Sequence, residues 1–238
     1  MKVVFVTTFA KDHINLYGKT FLNSFKKNCD HSLLIFAEDF DQTNLATDSL
    51  IDYYSNIPEQ LDFKNKVNKL IPEALPKPQN RLKKALRWSY KSFVIWYALK
   101  NIDADYIVWI DADVETIDAV PNNLVEDLCK RKLMMCYPQR IDGDMHIESG
   151  FIIFNKQHAL INKVIDHYYL GYHNQEVLNL TKPWDGFWLG KLIESNQDIS
   201  QASELCVLPF RNINKYFCHN VGKDKFKDTG LNKFSGRF

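Results

Sequence analysis

The stretch Tyr106-Ile107-Val108-Trp109-Ile110-Asp111-Ala112-Asp113 decides the fold prediction, because a short apolar run ends there in two carboxylates one residue apart. Consecutive apolar residues without helical spacing are typical of a central strand covered on both faces. Ligands of open α/β sheets bind at the carboxyl ends of such strands. In an extended segment Asp111 and Asp113 point the same way, so their oxygens can converge on one divalent cation. The alternative is an Asp-x-Asp that only caps or turns the chain.

The composition of the 238 residues fits one large α/β domain, since 45% are hydrophobic and 13% aromatic. A formal net charge of +1 excludes a function that requires the whole molecule to be strongly polyanionic or polycationic, but it is compatible with a local basic patch. The five cysteines form no Cys-x-x-Cys pair, which argues against a disulfide framework or a zinc knuckle. No export signal and no apolar run of about 20 residues is visible, so we expect no membrane anchor and a cytoplasmic location.

The remaining pattern predicts strands and helices that alternate along the chain, and hence a mixed, mostly parallel sheet between helices. Strands are predicted at residues 2–8, 33–37, 133–137, 151–155 and 204–208. Helices are predicted at residues 14–27, 61–70, 81–100, 121–130 and 157–170, and another opens within residues 181–189. The first helix should turn Leu16, Phe21, Leu22 and Phe25 towards the core. The proline-rich segment 55–80 is predicted to be a peripheral excursion around one short helix.

Residues 106–113 resemble the Asp-x-Asp signature of GT-A glycosyltransferases, which use a nucleotide-sugar donor and Mn²⁺ or Mg²⁺. Residues 219–225, His-Asn-Val-Gly-Lys-Asp-Lys, have the His-x-x-Gly-x-x-Lys spacing of the glycogenin-like and galactosyltransferase-like branch, family 8. The resemblance implies Asp111, Asp113 and His219 as metal ligands. It also implies Gly222 and Lys225 in donor binding, with Lys225 on the diphosphate. The family usually continues with Pro-Trp, whereas Phe-Lys follows here.

Two further groups match the family's donor site. Thr7 and Thr8, at the end of the first strand, would contact the base and ribose, unless they only end a strand. A basic residue of the helix before the Asp-x-Asp strand contacts the donor or a metal-binding Asp in the family, and Lys91 is the closest match, with Arg87 in reserve. The alternative for these two is a solvated basic face. Acids at residues 38–41 could bind ribose hydroxyls or lie in a solvated loop.

Ser149 and Gly150, before an apolar strand, resemble the family's Asn-Ser-Gly, with Glu148 in place of the Asn. They would let backbone approach the donor sugar closely, because Gly has no Cβ. Asp185 matches an acid near the reacting centre and is the candidate catalytic residue, with helix capping as the alternative. Trp184 and Trp188 could form an acceptor platform or belong to the core.

We therefore expect a single GT-A domain over residues 1–238. It would comprise a nucleotide-binding half at 1–113, an acceptor half at 114–210, and a tail at 211–238 that closes over the donor diphosphate. The resemblance implies sugar transfer with retention, from a nucleotide sugar such as a UDP-sugar to a hydroxyl acceptor such as a glycan. The basic, aromatic tail also keeps open a hydroxymethylated base of DNA as acceptor.

Two other functions stay open at this point. A sugar-phosphate nucleotidyltransferase would share the fold class and the metal carboxylates, but the sequence lacks a Gly-rich phosphate loop after the first strand. A non-catalytic module that binds nucleotide sugars or glycans would tolerate the loss of metal ligands, which this sequence retains.

Overall fold

The protein is described by a computed structural model that covers residues 1–45, 47–71, 80–130, 132–138, 147–195, 205–208 and 210–219. Its strands are β1 Val3–Phe9, β2 Ser32–Ala37, β3 Leu50–Asp52, β4 Tyr106–Ile110, β5 Val114–Thr116, β6 Met135–Pro138, β7 Phe151–Asn155, β8 Leu205–Leu208 and β9 Phe217–His219. Its helices are α1 Lys19–Asn28, α2 Tyr53–Asn56, α3 Pro58–Leu70, α4 Asn80–Asn101, α5 Leu124–Cys129, α6 Ile161–His173, α7 Asp185–Ser195 and α8 Phe210–Ile213.

A seven-stranded sheet in the order β3-β2-β1-β4-β7-β6-β8 forms the centre of this part of the chain. Strand β7 runs antiparallel to both of its neighbours, β4 and β6. The other strand pairs described in this sheet are parallel. The predicted mixed, mostly parallel sheet between helices is therefore confirmed.

Two hydrophobic cores cover the two faces of the sheet, because successive residues of a strand point to opposite sides. Val3 and Phe5 of β1 pack with α1 and α5, whereas Val4 and Val6 pack with α3, α4, α6 and α7. All five residues of β4 are buried. Burial on both faces explains why β4 is an unbroken apolar run, as its sequence predicted.

The first crossover differs from the single helix predicted at residues 14–27. Ile14–Gly18 form a π-helical turn, and the α-helix begins only at Lys19. This turn packs closely on β1, since a Cβ at Gly18 would lie 2.8 Å from the Phe9 ring. Leu16, predicted to face the core, is 49% exposed. The early turn thus wraps around the end of β1 instead of continuing the helix.

The other predicted elements are found with shifted ends. The helix predicted at 121–130 is only Leu124–Cys129, and the one predicted at 157–170 runs from Ile161 to His173. Strand β3 and helix α2 were not predicted, since three or four residues carry too little periodicity to be recognised. The predicted polar loop at residues 139–144 lies outside the described residues.

A two-stranded ribbon joins distant parts of the sequence. Strands β5 and β9 pair antiparallel, with Val114 opposite His219. Phe217 anchors β9, because it is fully buried and its ring centroid lies 5.1 Å from that of Phe151. The ribbon brings His219 to the carboxyl end of β4.

No helix within the described part of the chain is long and apolar enough to span a membrane.

Close packing of α6 against α7 gives a test of the fold. A Cβ at Gly171 would lie 2.3 Å from atoms of the Trp188 indole, whose Nε1 donates to the Tyr168 carbonyl at 3.2 Å. Gly171→Ala should lower the free energy of unfolding by about 1–2 kcal/mol, because overpacking outweighs the better helix propensity of Ala. Urea unfolding measures the change. In the double variant, Trp188→Phe should restore part of the free energy of unfolding that Gly171→Ala loses. If the losses of the two single variants simply add in the double variant, this contact is contradicted.

Candidate active site

Three potential metal ligands converge at the end of β4. Ligand atoms of Asp111, Asp113 and His219 all lie within 4.8 Å of one another. His219 Nε2 lies 3.2 Å from Asp113 Oδ1 and 3.8 Å from Asp111 Oδ2. These are the three residues that the resemblance implies as ligands, so the fold brings that set together.

A turn, and not an extended segment, makes the two carboxylates converge. The amide of Val114 donates to the Asp111 carbonyl at 3.0 Å, which closes a tight turn between β4 and β5. The expected extended geometry of Asp-x-Asp is therefore corrected. On the other side, the Asp111 amide donates to the Gly150 carbonyl at 2.9 Å and ties the turn to the start of β7.

Glu148 and Gly150 form the surroundings of the His219 ring. A Cβ at Gly150 would lie 2.5 Å from His219 Cε1, so only glycine leaves room for the imidazole here. His219 Nδ1 lies 3.5 Å from Glu148 Oε1, an oxygen that also accepts from the Gly150 amide at 3.1 Å. A carboxylate behind a metal-binding His fixes the ring and leaves its other nitrogen for the metal. Glu148, where the family usually has Asn, therefore occupies this supporting position.

The charges around His219 favour a cation among the three residues. Burial opposes the charged imidazole, yet Asp113 and Glu148 raise the pKa of His219 to about 10. The carboxylates thus demand a positive charge at Nε2, which either a proton or a metal ion supplies. Two carboxylates and one imidazole suit a divalent cation such as Mn²⁺, and its binding would release the proton.

Lys91 links the metal-ligand cluster to the second predicted acid. Its Nζ lies 2.8 Å from Asp111 Oδ1 and 2.8 Å from Asp185 Oδ2, and it donates to the Ser149 carbonyl at 2.9 Å. Burial works against its charge, but Asp111 and Asp185 together raise the pKa of Lys91. Asp111 Oδ1 also accepts from the Trp109 indole at 2.7 Å. Lys91 therefore contacts a predicted metal ligand, and it does not lie on a solvated face.

A cavity of about 450 Å³ opens above this cluster. Its lining contains aromatic, basic and acidic side chains, which are Thr8, Phe9, His13, Tyr17, Glu38, Lys83, Leu86, Arg87, Trp88, Tyr90, Lys91, Trp109, Asp111, Ala112 and Asp113. Arg87 is exposed on this surface, one helical turn before Lys91. The volume falls within the range of about 300–1,000 Å³ that is usual for small-molecule sites.

The two predicted threonines lie on opposite sides of β1. Thr8 lines the cavity, whereas Thr7 is fully buried and is not among the lining residues. Thr8 Oγ1 donates to the Phe36 carbonyl at 2.7 Å and lies 3.1 Å from Glu38 Oε1. The hydroxyl has one proton, so the Phe36 carbonyl and the Glu38 carboxylate share Thr8 as their donor. Alternation along the strand, which the prediction overlooked, separates the pair.

Asp185 opens α7 at the bottom of a second cavity of about 220 Å³. The side chain is only 4% exposed. A Cβ at Gly186 would lie 2.4 Å from the Ile147 carbonyl oxygen, so glycine allows the first turn of α7 to pack on the segment that leads to Ser149. Trp184 lines this cavity, whereas Trp188 packs against α6.

Several parts of the prediction stay untested. Gly222 and Lys225 lie outside the described residues, as does most of the tail at 211–238. Sequence reasoning missed Trp88, which lines both cavities, and the aromatic pair His13 and Tyr17, whose rings stack at 5.0 Å. An isolated aromatic residue on a long helix gives no signal of its position relative to a site. The π-helical turn that presents Tyr17 is likewise not visible in the periodicity.

Comparisons with solved structures place this fold among glycosyltransferases. A glycosyltransferase involved in glycosylation of the major capsid of PBCV-1 is similar at a TM-score of 0.52 and 10% identity, with 94% of this chain and 95% of that chain covered. The bifunctional glycosyltransferase WbbM, in its apo form, is similar at a TM-score of 0.50 and 11% identity. That match covers 88% of this chain but 39% of WbbM. At such low identity the likeness shows the fold alone, a GT-A-type, Rossmann-like domain.

No protein-family model matches the sequence, and a search of curated proteins finds no match. Membership of family 8 therefore stays a prediction.

Replacing Glu148 tests the site. Glu148→Ala should weaken Mn²⁺ binding about 10–100-fold, because the His219 ring loses the acceptor that orients it. Glu148→Gln retains an oxygen that can accept from Nδ1 and from the Gly150 amide, so it should lose much less. Titration with Mn²⁺ followed by electron paramagnetic resonance measures the affinity. Glu194→Ala, at an exposed position of α7, is the matched control, and equal affinities for all variants would contradict the supporting role.

Glu38 gives a second test, by pH. Burial raises the pKa of Glu38 to about 7 from an ordinary value of 4.5, against the lowering effect of Thr8. Between these two pH values the folded state holds a proton that the unfolded state has lost. The stabilisation from this proton is complete below the unfolded-state pKa of 4.5, and it disappears as the pH rises through the folded-state pKa of about 7. Glu38→Gln should abolish that decline, which we expect to be about 1–3 kcal/mol in the free energy of unfolding.

Urea unfolding of both proteins at about pH 5 and about pH 8 measures the difference. Asp48→Asn, at an exposed position, should follow the wild type at both values. Parallel pH dependence of the wild type and Glu38→Gln would show that Glu38 is already ionised at the lower pH.

Proposed function

We propose that the protein transfers a sugar from a nucleotide-sugar donor, such as a UDP-sugar, to a hydroxyl acceptor, with a divalent cation such as Mn²⁺ or Mg²⁺. The observation that carries the proposal is the convergence of Asp111, Asp113 and His219 within 4.8 Å at a cavity of nucleotide size. The shared fold with two glycosyltransferases supports the same reaction class. It leaves the donor, the metal and the stereochemistry as proposals.

We assign the donor one orientation in the cavity. Tyr17 and Thr8 offer an aromatic ring and a hydroxyl among its lining residues, and we assign the nucleoside to them. Asp111, Asp113 and Arg87 line the same cavity, and we assign the diphosphate to them. The chemistry that a bound divalent cation would supply is neutralisation of the charge that grows on the leaving diphosphate.

Lys91 and Asp185 organise the reacting end of the donor in this proposal. The Lys91 ammonium holds the Asp111 carboxylate on one side and Asp185 on the other. It thereby fixes the spacing between the diphosphate and the sugar before any ligand binds, which is the preorganisation that transition-state stabilisation requires. Asp185 then offers an oriented carboxylate to the sugar hydroxyls. Retention at the anomeric carbon remains part of the proposal through the family resemblance.

The acceptor is proposed to be a glycan hydroxyl. The alternative of a hydroxymethylated DNA base depended on the basic, aromatic tail, most of which lies outside the described residues. The structure therefore offers it no support. A glycosyltransferase of similar fold, matched over 94% of this chain and 95% of its own, is involved in the glycosylation of the major capsid of PBCV-1, which favours a glycan over a DNA base in this proposal.

Asp113→Asn tests the proposal. The loss of one anionic oxygen should weaken Mn²⁺-dependent binding of UDP at least tenfold and abolish sugar transfer in protein that keeps the circular dichroism spectrum of the wild type. Calorimetric titration with UDP, with and without Mn²⁺, and hydrolysis of UDP-glucose and UDP-galactose measure the two effects. Asp118→Asn, an exposed carboxylate five positions later, is the matched control.

Equal turnover of the wild type and Asp113→Asn would show that the proposed metal site takes no part in the reaction. Binding of UDP with Mn²⁺ but no hydrolysis of any nucleotide sugar would instead favour the non-catalytic binding module.

A further inference from the structure

The second cavity, of about 220 Å³, adjoins the proposed donor site through a shared wall. Trp88 lines both cavities. Asp185 and Ser149 line the smaller one, and Lys91 contacts both of these residues from below. A group in this cavity would therefore lie next to the reacting end of a donor bound in the larger cavity. Its volume lies below the about 300–1,000 Å³ of ordinary ligand sites, so it suits a single ring.

Aromatic rings form the walls of this cavity. The Trp88 and Trp184 centroids lie 5.7 Å apart with the rings inclined at 56°, and Phe187 adds a third ring. Trp88 and Trp184 are both partly exposed. Large amphipathic rings that remain open to solvent, beside a few oriented polar groups, are the composition of a ligand site and not of a core.

The polar groups of the cavity match the hydroxyls of a sugar. Ser149 and Asp185 are among the residues that line it, and hydroxyl and carboxylate groups can hydrogen-bond to sugar hydroxyls. The weakly polarised C–H face of a pyranose packs against an aromatic ring, while its hydroxyls point outward to polar partners. Asp185 is ion-paired with Lys91, so its charge does not dominate the cavity.

Three lysines contact the aromatic rings that wall this cavity. The ammonium groups of Lys84 and Lys182 lie 5.8 Å and 5.7 Å from the centre of the Trp184 ring. Lys191 lies 5.7 Å from the centre of the Phe187 ring. These cations add positive charge beside the rings, in a chain whose formal net charge is only +1. A negatively charged ligand that packs against the rings would be attracted by this charge.

We propose that the Trp88–Trp184–Phe187 cavity is the acceptor subsite, and that it binds a sugar ring that carries a negative charge, such as a uronic acid. The inference rests on the proposed function, since it names the acceptor of that reaction. It goes beyond it by assigning the substrate class to particular residues.

Matched sugars test the proposal. The probes are the methyl glycosides of glucose and galactose and those of the corresponding uronic acids, which differ from them only at C6. Saturation-transfer NMR on the full chain, with UDP and Mn²⁺ present, measures their dissociation constants. At low salt at least one uronide should bind at least threefold more tightly than its neutral partner, and the difference should shrink as salt screens the lysines.

Two sets of variants assign the binding to the cavity. Trp184→Leu keeps an apolar side chain but removes the ring face, and it should weaken uronide binding at least tenfold. Trp96→Leu is the control, because Trp96 stacks on Tyr169 at 4.3 Å in the α4–α6 contact. The double change Lys84→Gln with Lys182→Gln should remove the preference for uronides. The double change Lys66→Gln with Lys69→Gln, on α3, alters the net charge equally and should leave that preference intact.

The outcomes separate the two proposals. If Trp184→Leu binds every probe as tightly as the wild type, or if no probe binds, the cavity is not a sugar subsite. If neutral and acidic partners bind equally at low salt, the preference for a charged acceptor is wrong. Hydrolysis of UDP-glucose and UDP-galactose is followed in the same samples. Its absence in the wild type would contradict the proposed function, whereas normal hydrolysis without sugar binding would overturn this inference alone.

Discussion

One buried ammonium group fixes the geometry on which the candidate site depends. Lys91 lies between the carboxylates of Asp111 and Asp185 and donates to the Ser149 carbonyl. Each carboxylate would be costly to bury alone, and removing one partner of a buried pair leaves an uncompensated charge that typically costs about 3–5 kcal/mol. The end of β4, the start of α7 and the segment before β7 must therefore all meet at Lys91. Helix α4 supplies the long rigid support that this meeting point needs.

The two-stranded ribbon provides the second constraint. His219 is separated from Asp113 by 106 positions, and closing so long a loop has an entropic cost. The pairing of β5 with β9 and the burial of Phe217 offset that cost. Packing and backbone hydrogen bonds of the ribbon therefore hold His219 beside Asp113.

The parts that the sequence predicted are those with a strong local signal. The run before Asp111 has to be a buried strand, and the 22-residue helix α4 has enough turns to show its period. The parts that it did not predict depend on tertiary contacts. The Asp111 amide donates to the Gly150 carbonyl, and Thr8 donates to Glu38 from a neighbouring strand. In both contacts the partners lie about 30 positions or more apart, so no local window contains both of them.

The position of Glu148 illustrates the same limit for chemistry. As a departure from the family's Asn it could be interpreted from sequence as a change in sugar recognition or as an unrelated residue. The fold instead points its carboxylate at His219 Nδ1, away from the cavity side where Nε2 faces Asp113. An acid there strengthens the imidazole as a ligand more than an amide would, because it stabilises a positive ring nitrogen. In the proposed metal site the substitution would therefore act on the candidate ligand His219, and specificity for a sugar would come from other groups, of which Asp185 and the aromatic walls beside it are the candidates.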